Sequence, residues 1–529
     1  MAIFRAAVRA AHGAFFALPA LLALLVGGGA AAQDVTLTSR DGSVEISGNL
    51  LGFDGEFYRV DTIYGELTVD GSGVICEGPG CPDLEAYVAE VTLSGAPAVG
   101  RVLMPALIEA FAIRNGYRLS RRVLSARESV FALSGASAPS RVLGRITIRT
   151  GSSDEGFADL LAGEADIAMS QREVTPEEAG RAAAAGLGDF EARGRGRVIA
   201  LDALVPIVAA SNPVRAVSMT ELAGVLSGRI GNWQALGGPD APIALHVHAG
   251  ASGIGQATER RVLAPAGLTL AGSAIRHPAG PELARAVAAD PFALGVTGRS
   301  ELGEARELAI RGECGFALHA TRLAIKTEDY PLSAPVFLYL PARRFPRLVR
   351  EFLSYLRDPA AQMVIRRAGF VDLAPEEIAL AQQGDRLANA IARARGETGL
   401  ADLQRMTAFL TPMARLTTTF RFEAGSARLD AQSRSNVHQL ARALETGLYD
   451  GRRLVFVGFS DGQGPAEANL RIAQQRAEAV RDAVLAAAET ASLERIALQI
   501  AAFGEAMPMA CDDSAWGRQI NRRVEVWIE

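Results

Sequence analysis

The sequence predicts a multidomain α/β protein whose first domain is all β. Three observations carry this. A chain of 529 residues, 49% of them hydrophobic, is long enough for about three domains with full cores. Residues 34 to 82 alternate apolar and polar with a period of two, broken by Asp-Gly turns. From about Glu90 onward, short apolar runs alternate with helical patterns, as in a mostly parallel sheet that binds ligands at its strand ends.

Residues 1–32 place Arg5 and Arg9 ahead of an apolar run from Ala14 to Val26, and end in Ala30-Ala31-Ala32 before Gln33. This is the layout of a secretory signal peptide, with cleavage expected after Ala32. No Cys stands at that point, so a lipid anchor is not expected. No other run reaches the roughly 20 apolar residues of a membrane span, so the mature chain is expected to be soluble. Loss of two arginines and no acid takes the formal charge from −5 to −7, which argues against nucleic acid as a partner.

Residues 33–89 form the small β domain. Val44 and Ile46 alternate with Glu45 and Ser47, and Asp41-Gly42 and Asp54-Gly55 supply turns, so a small antiparallel sheet or barrel is expected. Phe53, Phe57, Tyr58 and Tyr64 read as packing rather than a ligand platform. An exported chain meets oxidising conditions, so its four cysteines invite pairing. Cys76 and Cys81 bracket Glu77-Gly78-Pro79-Gly80, and a bridge there would stabilise by about 2 kcal/mol on the chain-entropy model. Cys314 and Cys511 fall in different expected domains and are left open as bridged or free. No spacing among the four suits zinc.

Residues 90–374 carry three strand-to-helix junctions. Val91-Thr92-Leu93 leads into Ser94-Gly95-Ala96-Pro97-Ala98-Val99-Gly100; Ile146-Thr147-Ile148 precedes Gly151-Ser152-Ser153; Leu245 to Gln256 is the third. Small residues and hydroxyls at three helix N-termini form a candidate anion cradle, because free amides and helix dipoles aim at one spot. His246 and His248 point the same way on a strand. No Cys or carboxylate cluster completes a metal set, so no metal and no other cofactor is expected. Ser252 lacks a G-x-S-x-G elbow and reads as a helix cap or a ligand hydroxyl.

These segments, with Leu201 to Val208, Ser211-Asn212-Pro213 and LSGRIGNW at Leu226 to Trp233, resemble the phosphate-binding, PstS-type periplasmic substrate-binding proteins over roughly 300 residues. The resemblance implies two lobes that close on a ligand about crossing segments near Ala200 and Phe292. It places Ala98, Ser152, Ser153, Gln171, His248, Ser252 and Gly253 at the family's anion contacts. Only the serines and the Ser252-Gly253 pair keep the family's donors. Ala98 replaces Thr, His248 replaces Arg, Ile254 replaces Thr and Gln171 replaces Asp. Losing a fixed charge and two hydroxyls removes several charge-assisted bonds, each worth about 1.5 to 3 kcal/mol. His248 is then expected as a weak, pH-dependent anion contact.

Residues 375–413 read as a helical linker with charges of both signs, a semi-rigid spacer holding its neighbours apart. Residues 414–529 open with the strand LTTTFRFE, and Val437, Leu440 and Leu444 mark a helix. The unbroken run Leu454 to Val457 is a buried strand that ends at Gly458 in an SDGQG loop. In the following helix Ala473, Ala477, Val480 and Val484 share one face, while Asn469 and Arg476 lie two turns apart on another stripe. The closing strand VEVWIE alternates, and an α/β sandwich with helices on one face is expected. Asp461 in the loop and Arg476 on the helix suit the ammonium and carboxylate of one zwitterionic amino-acid centre.

Asp461, Gly464, Asn469, Arg476, Ala477 and Asn521-Arg522-Arg523-Val524-Glu525 resemble the OmpA-like peptidoglycan-binding domain over roughly the last 115 residues. The resemblance implies that Asp461 and Arg476 hold the diaminopimelate of the peptide stem, supported by Asn469 and Arg522. Phe459 and Ser460 depart from the family's His and Thr, and Ile472-Ala473 from its Leu-Ser. The expected protein is not an enzyme, since no acid/base or nucleophile constellation is present. It is a periplasmic, peptidoglycan-associated protein facing the outer membrane of a diderm cell, fastening a phosphate-type or other small-anion binding module to the wall. The alternative is a wall-tethered scaffold whose clamp has lost its ligand.

Overall fold

The computed structural model describes residues 34–529 other than 85, 137–138, 193, 250–251, 313, 395–398, 424–425 and 427. The expected signal peptide lies outside the described residues. The chain divides into two compact units, ending and beginning at Asp83 and Leu84.

The first unit is one antiparallel sheet of five strands, ordered Gly65–Asp70, Phe57–Thr62, Glu45–Phe53, Val35–Ser39, Val74–Glu77. Its core is small, Val35, Leu37, Tyr58 and Val60, with the Phe53 ring 4.6 Å from that of Tyr58. The Cys76–Cys81 disulfide, its Cα atoms 5.8 Å apart, closes the last loop beside this core. Tyr64 departs from the packing role expected of it: it caps an exposed hairpin tip, 87% accessible.

In the second unit an eleven-stranded sheet runs through two lobes. Lobe 1 is built on Ala89–Gly95, which pairs in parallel with Ile167–Ser170 and Val142–Thr150, and continues through Glu128–Ser134 to the edge strand Arg118–Ser125. Lobe 2 is built on Ala293–Gly298, Ala244–His248 and Ile275–His277. One long strand, Gly196–Val208, belongs to both: its first half pairs with Ser333–Tyr339 and its second half with Ala293–Gly298. Ala200 is therefore in a crossing segment, as expected. Phe292 is not. The return path runs where Ser333 pairs with Ala203, while the Phe292 carbonyl is held inside lobe 2 by the Trp233 indole at 2.8 Å. Val371 and Leu201 then bond reciprocally, so the chain leaves the clamp at its hinge.

Residues 375–413 are not a spacer. Glu377–Ala379 joins the C-terminal sheet, whose order is Glu377–Ala379, Ala414–Arg421, Arg523–Ile528, Arg453–Phe459, Ala497–Ala502. Helices Ala431–Glu445 and Ala466–Ala487 cover one face of it. On the other face, Leu403, Met406 and Leu410 pack with Val455, Val457, Phe459 and Trp527. Helices thus lie on both faces, because the interior strand Arg453–Phe459 is apolar on both sides and each side needs a cover. Gly458 matters locally: a Cβ there would collide with the Ala473 carbonyl of the long helix.

The C-terminal domain is bound to the clamp at several points. Cys314 of lobe 2 is disulfide-bonded to Cys511, with Cα atoms 5.6 Å apart. Buried Asp329 of lobe 2 takes two bonds from Arg415 at 2.8 and 3.2 Å. Arg421 donates to the Glu328 carbonyl at 2.7 Å. Glu191 of lobe 1 faces Arg428 at 3.7 Å and Arg434 at 4.0 Å.

Candidate functional site

The structure brings Asp461, Arg522 and Arg476 within electrostatic reach of one another beyond the end of strand Arg453–Phe459. Arg522 Nη1 donates to Asp461 Oδ2 at 2.6 Å, and Asp461 Oδ1 accepts from the Gln463 amide at 3.2 Å. Arg476 lies with its guanidinium 5.3 Å from the centre of the Phe422 ring. Among the described residues it has no hydrogen-bond or ion-pair partner. Burial, then Arg522, push its pKa below the ordinary value, against an opposing pull from Asp461. One guanidinium is therefore spent orienting the carboxylate, and the other is open to a bidentate anion. Asn469 is buried and donates to Glu505 at 3.2 Å, so it braces the helix against the next loop rather than facing outward.

Asp512, absent from the sequence-derived set, supports this group. Its Oδ2 accepts from the Gly462 amide at 3.0 Å and its Oδ1 from Asn521 at 2.8 Å, which fixes the loop that carries Asp461. Burial pushes its carboxyl above the ordinary value, partly offset by those bonds. The disulfide partner Cys511 is its chain neighbour, so this group is tied covalently to lobe 2.

The clamp is closed at the expected anion cradle. A Cβ on Gly253 of lobe 2 would sit 2.5 Å from Ser153 Oγ and 3.3 Å from Gln171 Cβ of lobe 1. These three residues meet, and Ser153 Oγ accepts the Gln171 amide at 3.3 Å. The Gln171 Nε2 atom is buried with no partner among the described residues. Ser152 and Ser252 do not aim into the cradle: each hydroxyl caps its own helix, accepting at 2.9 Å from Glu155 N and Gly255 N. Ala98 is buried in the turn after Gly95 and offers no side-chain donor. His248 is the clearest departure from expectation. Its Nε2 meets Thr297 Oγ1 at 3.2 Å, and burial lowers its pKa to about 4, so it is neutral at neutral pH rather than a cationic anion contact. His246 Nδ1 meets His277 Nε2 at 2.9 Å, and no cluster of three metal-binding side chains occurs among the described residues.

Sequence reasoning missed the groups that hold the lobes together. Arg172 of lobe 1 is almost fully buried; it donates to Gln256 of lobe 2 at 2.8 Å and to Glu178 at 2.6 Å, with its guanidinium 4.9 Å from the Phe157 ring centre. Gln256 in turn donates to Asp154 of lobe 1. Beside this latch lies a cleft of about 720 Å³ lined by Phe157, Leu161 and Arg181 from lobe 1 and by Arg260, Leu263 and Leu270 from lobe 2. At the hinge, Asp202 accepts from the Ser300 amide at 3.1 Å and hydroxyl at 2.7 Å. No motif marks these residues, since each is a single polar side chain in an otherwise ordinary helix or strand end.

The fold is a two-lobed α/β clamp that carries an α/β domain at its C-terminus. The chain belongs to the PBP superfamily, whose domain matches residues 85–359; residues 421–522 match the OmpA family. The matched families are those of binding proteins rather than enzymes. The chain is similar to the peptidoglycan-associated lipoprotein of Pseudomonas putida, 34% identical over 115 residues, which are 21% of this chain and 63% of that protein. It is similar to protein SphX of Synechococcus elongatus, 25% identical over 250 residues, 45% of this chain and 72% of that one. Among solved structures, an ABC-type phosphate transport receptor from Vibrio cholerae aligns with 53% of this chain and 99% of its own, at 21% identity and a TM-score of 0.40. The chain spans about half the length of the first curated relative it matches, 46%. No helix among the described residues is long and apolar enough to cross a membrane.

Proposed function

We propose that this protein is exported to the periplasm and fastens a PBP-type clamp to peptidoglycan. Asp461 and Arg476 take the ammonium and carboxylate of a diaminopimelate centre, Arg522 orients Asp461, and Asn469 supports the helix. The observation that carries this is the open Arg476 guanidinium beside an oriented Asp461 carboxylate, a pair of charges matched to a zwitterion. Similarity to a relative named as peptidoglycan-associated supports a place at the outer-membrane side of a diderm envelope. Sedimentation of the mature chain with purified sacculi tests it. Asp461→Ala and Arg476→Ala are expected to leave the protein in the supernatant, and free diaminopimelate to compete. Unchanged sedimentation of both variants would refute the anchor.

For the clamp, the first reading is a small-anion receptor using Ser153, Gln171, the Gly253 amide and neighbouring backbone. A second reading, a scaffold without ligand, is favoured by the direct contact of Gly253 with Ser153 and by the capping roles of Ser152 and Ser252. Thermal unfolding of the whole chain with millimolar phosphate, against sulfate and chloride, separates them. A ligand at a thousand times its Kd adds about 4 kcal/mol and moves the midpoint by several degrees. No phosphate-specific shift selects the scaffold.

A further inference from the structure

The strand Arg118–Ser125 ends the eleven-stranded sheet. One backbone edge pairs with Glu128–Ser134, and among the described residues no strand meets the other. Its sequence is RLSRRVLS, three arginines and no acid. Charge on an edge strand commonly serves to repel other strands. Two features go beyond that. The first is that the strand's cations have no counter-charge: Arg118, Arg121 and Arg122 make no hydrogen bond or ion pair among the described residues, and Arg121 rests over the Phe131 ring at 5.2 Å. Acids on neighbouring elements are engaged elsewhere, Glu155 by Arg127 at 2.9 Å, Glu128 by Arg149 at 3.5 Å and Glu90 by Arg145 at 2.7 Å. On a chain of net charge −5 this is a local reversal of sign.

The second is a cavity of about 270 Å³ on one face of the strand, lined by Arg121, Val123 and Ser125 with Gly100, Arg101 and Ile148. Arg121 and Val123 alternate along the strand and share that face, with Ser125 beyond a register shift, while Arg118 and Arg122 share the other. Val123 is 62% exposed and Leu124 48%. An open backbone edge with a pocket for alternate side chains is the arrangement that strand addition uses: main-chain bonds supply affinity and the pocket supplies selectivity.

We propose that the outer edge of Arg118–Ser125 is a docking strand for an extended acidic segment of another protein. The segment adds to the sheet, sets carboxylates against Arg118 and Arg122 on one face, and lodges a small apolar side chain beside Val123 on the other. The test is fluorescence anisotropy of a short, end-blocked peptide alternating Glu and Val, titrated with the full mature chain. Saturable binding is expected, weakened at least about tenfold by the double variant Arg118→Glu/Arg122→Glu and lost when the peptide is N-methylated at alternate residues. Both substituted side chains are exposed, and an unfolding midpoint equal to that of the parent checks that the variant is folded. Absence of saturable binding overturns the proposal, as does equal binding by the variant or by the N-methylated peptide. Vesicles of phosphatidylglycerol bound in place of the peptide, with the same sensitivity to charge reversal, would assign the surface to lipid and overturn it equally.

Discussion

Single residues decide what each site can do. Arg476 is the clearest case, because its planar fork grips a carboxylate bidentately where an ammonium would be a point charge. Arg476→Lys is therefore expected to weaken sacculus binding markedly while leaving the unfolding midpoint unchanged, which separates a ligand contact from a structural one. Glu301 makes a different kind of prediction. Its carboxylate lies against Gly280 at the start of the helix Gly280–Ala289, and burial, followed by the nearby Asp202, raises its pKa to about 7 against a pull from Arg101. The ordinary value is 4.5, so the unfolded chain ionises first, and stability falls as pH rises from about 4.5 to about 7 and levels off above that. Glu301→Gln removes this loss. Denaturant unfolding should show a flatter profile across that window and a gain of about 2 kcal/mol above it; an unchanged profile would mean that Glu301 titrates normally. At this scale the sequence was legible for charged residues in a motif, Asp461 and Arg476, whose role depends on identity and spacing. It was silent on Glu301, Asp202 and Arg172, whose roles depend on burial.

At the scale of elements, the unbroken run Leu454 to Val457 already held more than was drawn from it. An antiparallel strand with one wet face alternates, whereas a continuous apolar run means both faces are covered. One cover, the helices containing Val437 and Val480, was visible in the helical spacing. The other is residues 375–413, whose mixed charges suggested a solvated spacer, yet whose Leu403, Met406 and Leu410 fill the second face. The alternation of VEVWIE misled for a related reason: Glu525 is fully buried, neutralised by Arg386, Arg415 and Arg523, so a polar position there does not mark a wet face. A fragment of residues 414–529 should consequently aggregate or bind a hydrophobic dye, because it exposes Val455, Phe459 and Trp527. Residues 375–529 should be the better-behaved piece. In the whole chain, Met406→Ala should cost about 2 to 5 kcal/mol by emptying a fully buried position. A cost near zero, read by denaturant unfolding, would return the segment to the status of a spacer.

For the whole molecule, the decisive fact is that the C-terminal domain touches both lobes. It reaches lobe 2 through Cys314–Cys511 and Asp329–Arg415, and lobe 1 through Glu191 with Arg428 and Arg434. None of this could be read from sequence, because contacts between residues 197 apart leave no local pattern and four cysteines allow three pairings. The contacts to the two lobes are unequal. The exposed Glu191 pairs are worth little each. The buried group is different, since removing Arg415 takes the bidentate partner from buried Asp329, leaving it with Arg421 at 3.4 Å, and one of three arginines from Glu525, at a cost of about 3 to 5 kcal/mol. The disulfide closes a loop of 197 residues, worth about 5 kcal/mol on the chain-entropy model. Clamp and anchor should therefore melt together in calorimetry, as one cooperative transition. Burial alone would raise the carboxyls of Asp329 and Glu525, but the surrounding arginines hold both below their ordinary 3.8 and 4.5. Their contribution is thus complete above about pH 4.5 and is lost as pH falls through the lower folded-state values. Cys314→Ser/Cys511→Ser should lower the midpoint by several degrees and move acid unfolding to higher pH, and adding Arg415→Ala should split the single transition into two. A triple variant that still melted in one step would mean that the two domains are coupled by some other part of their interface.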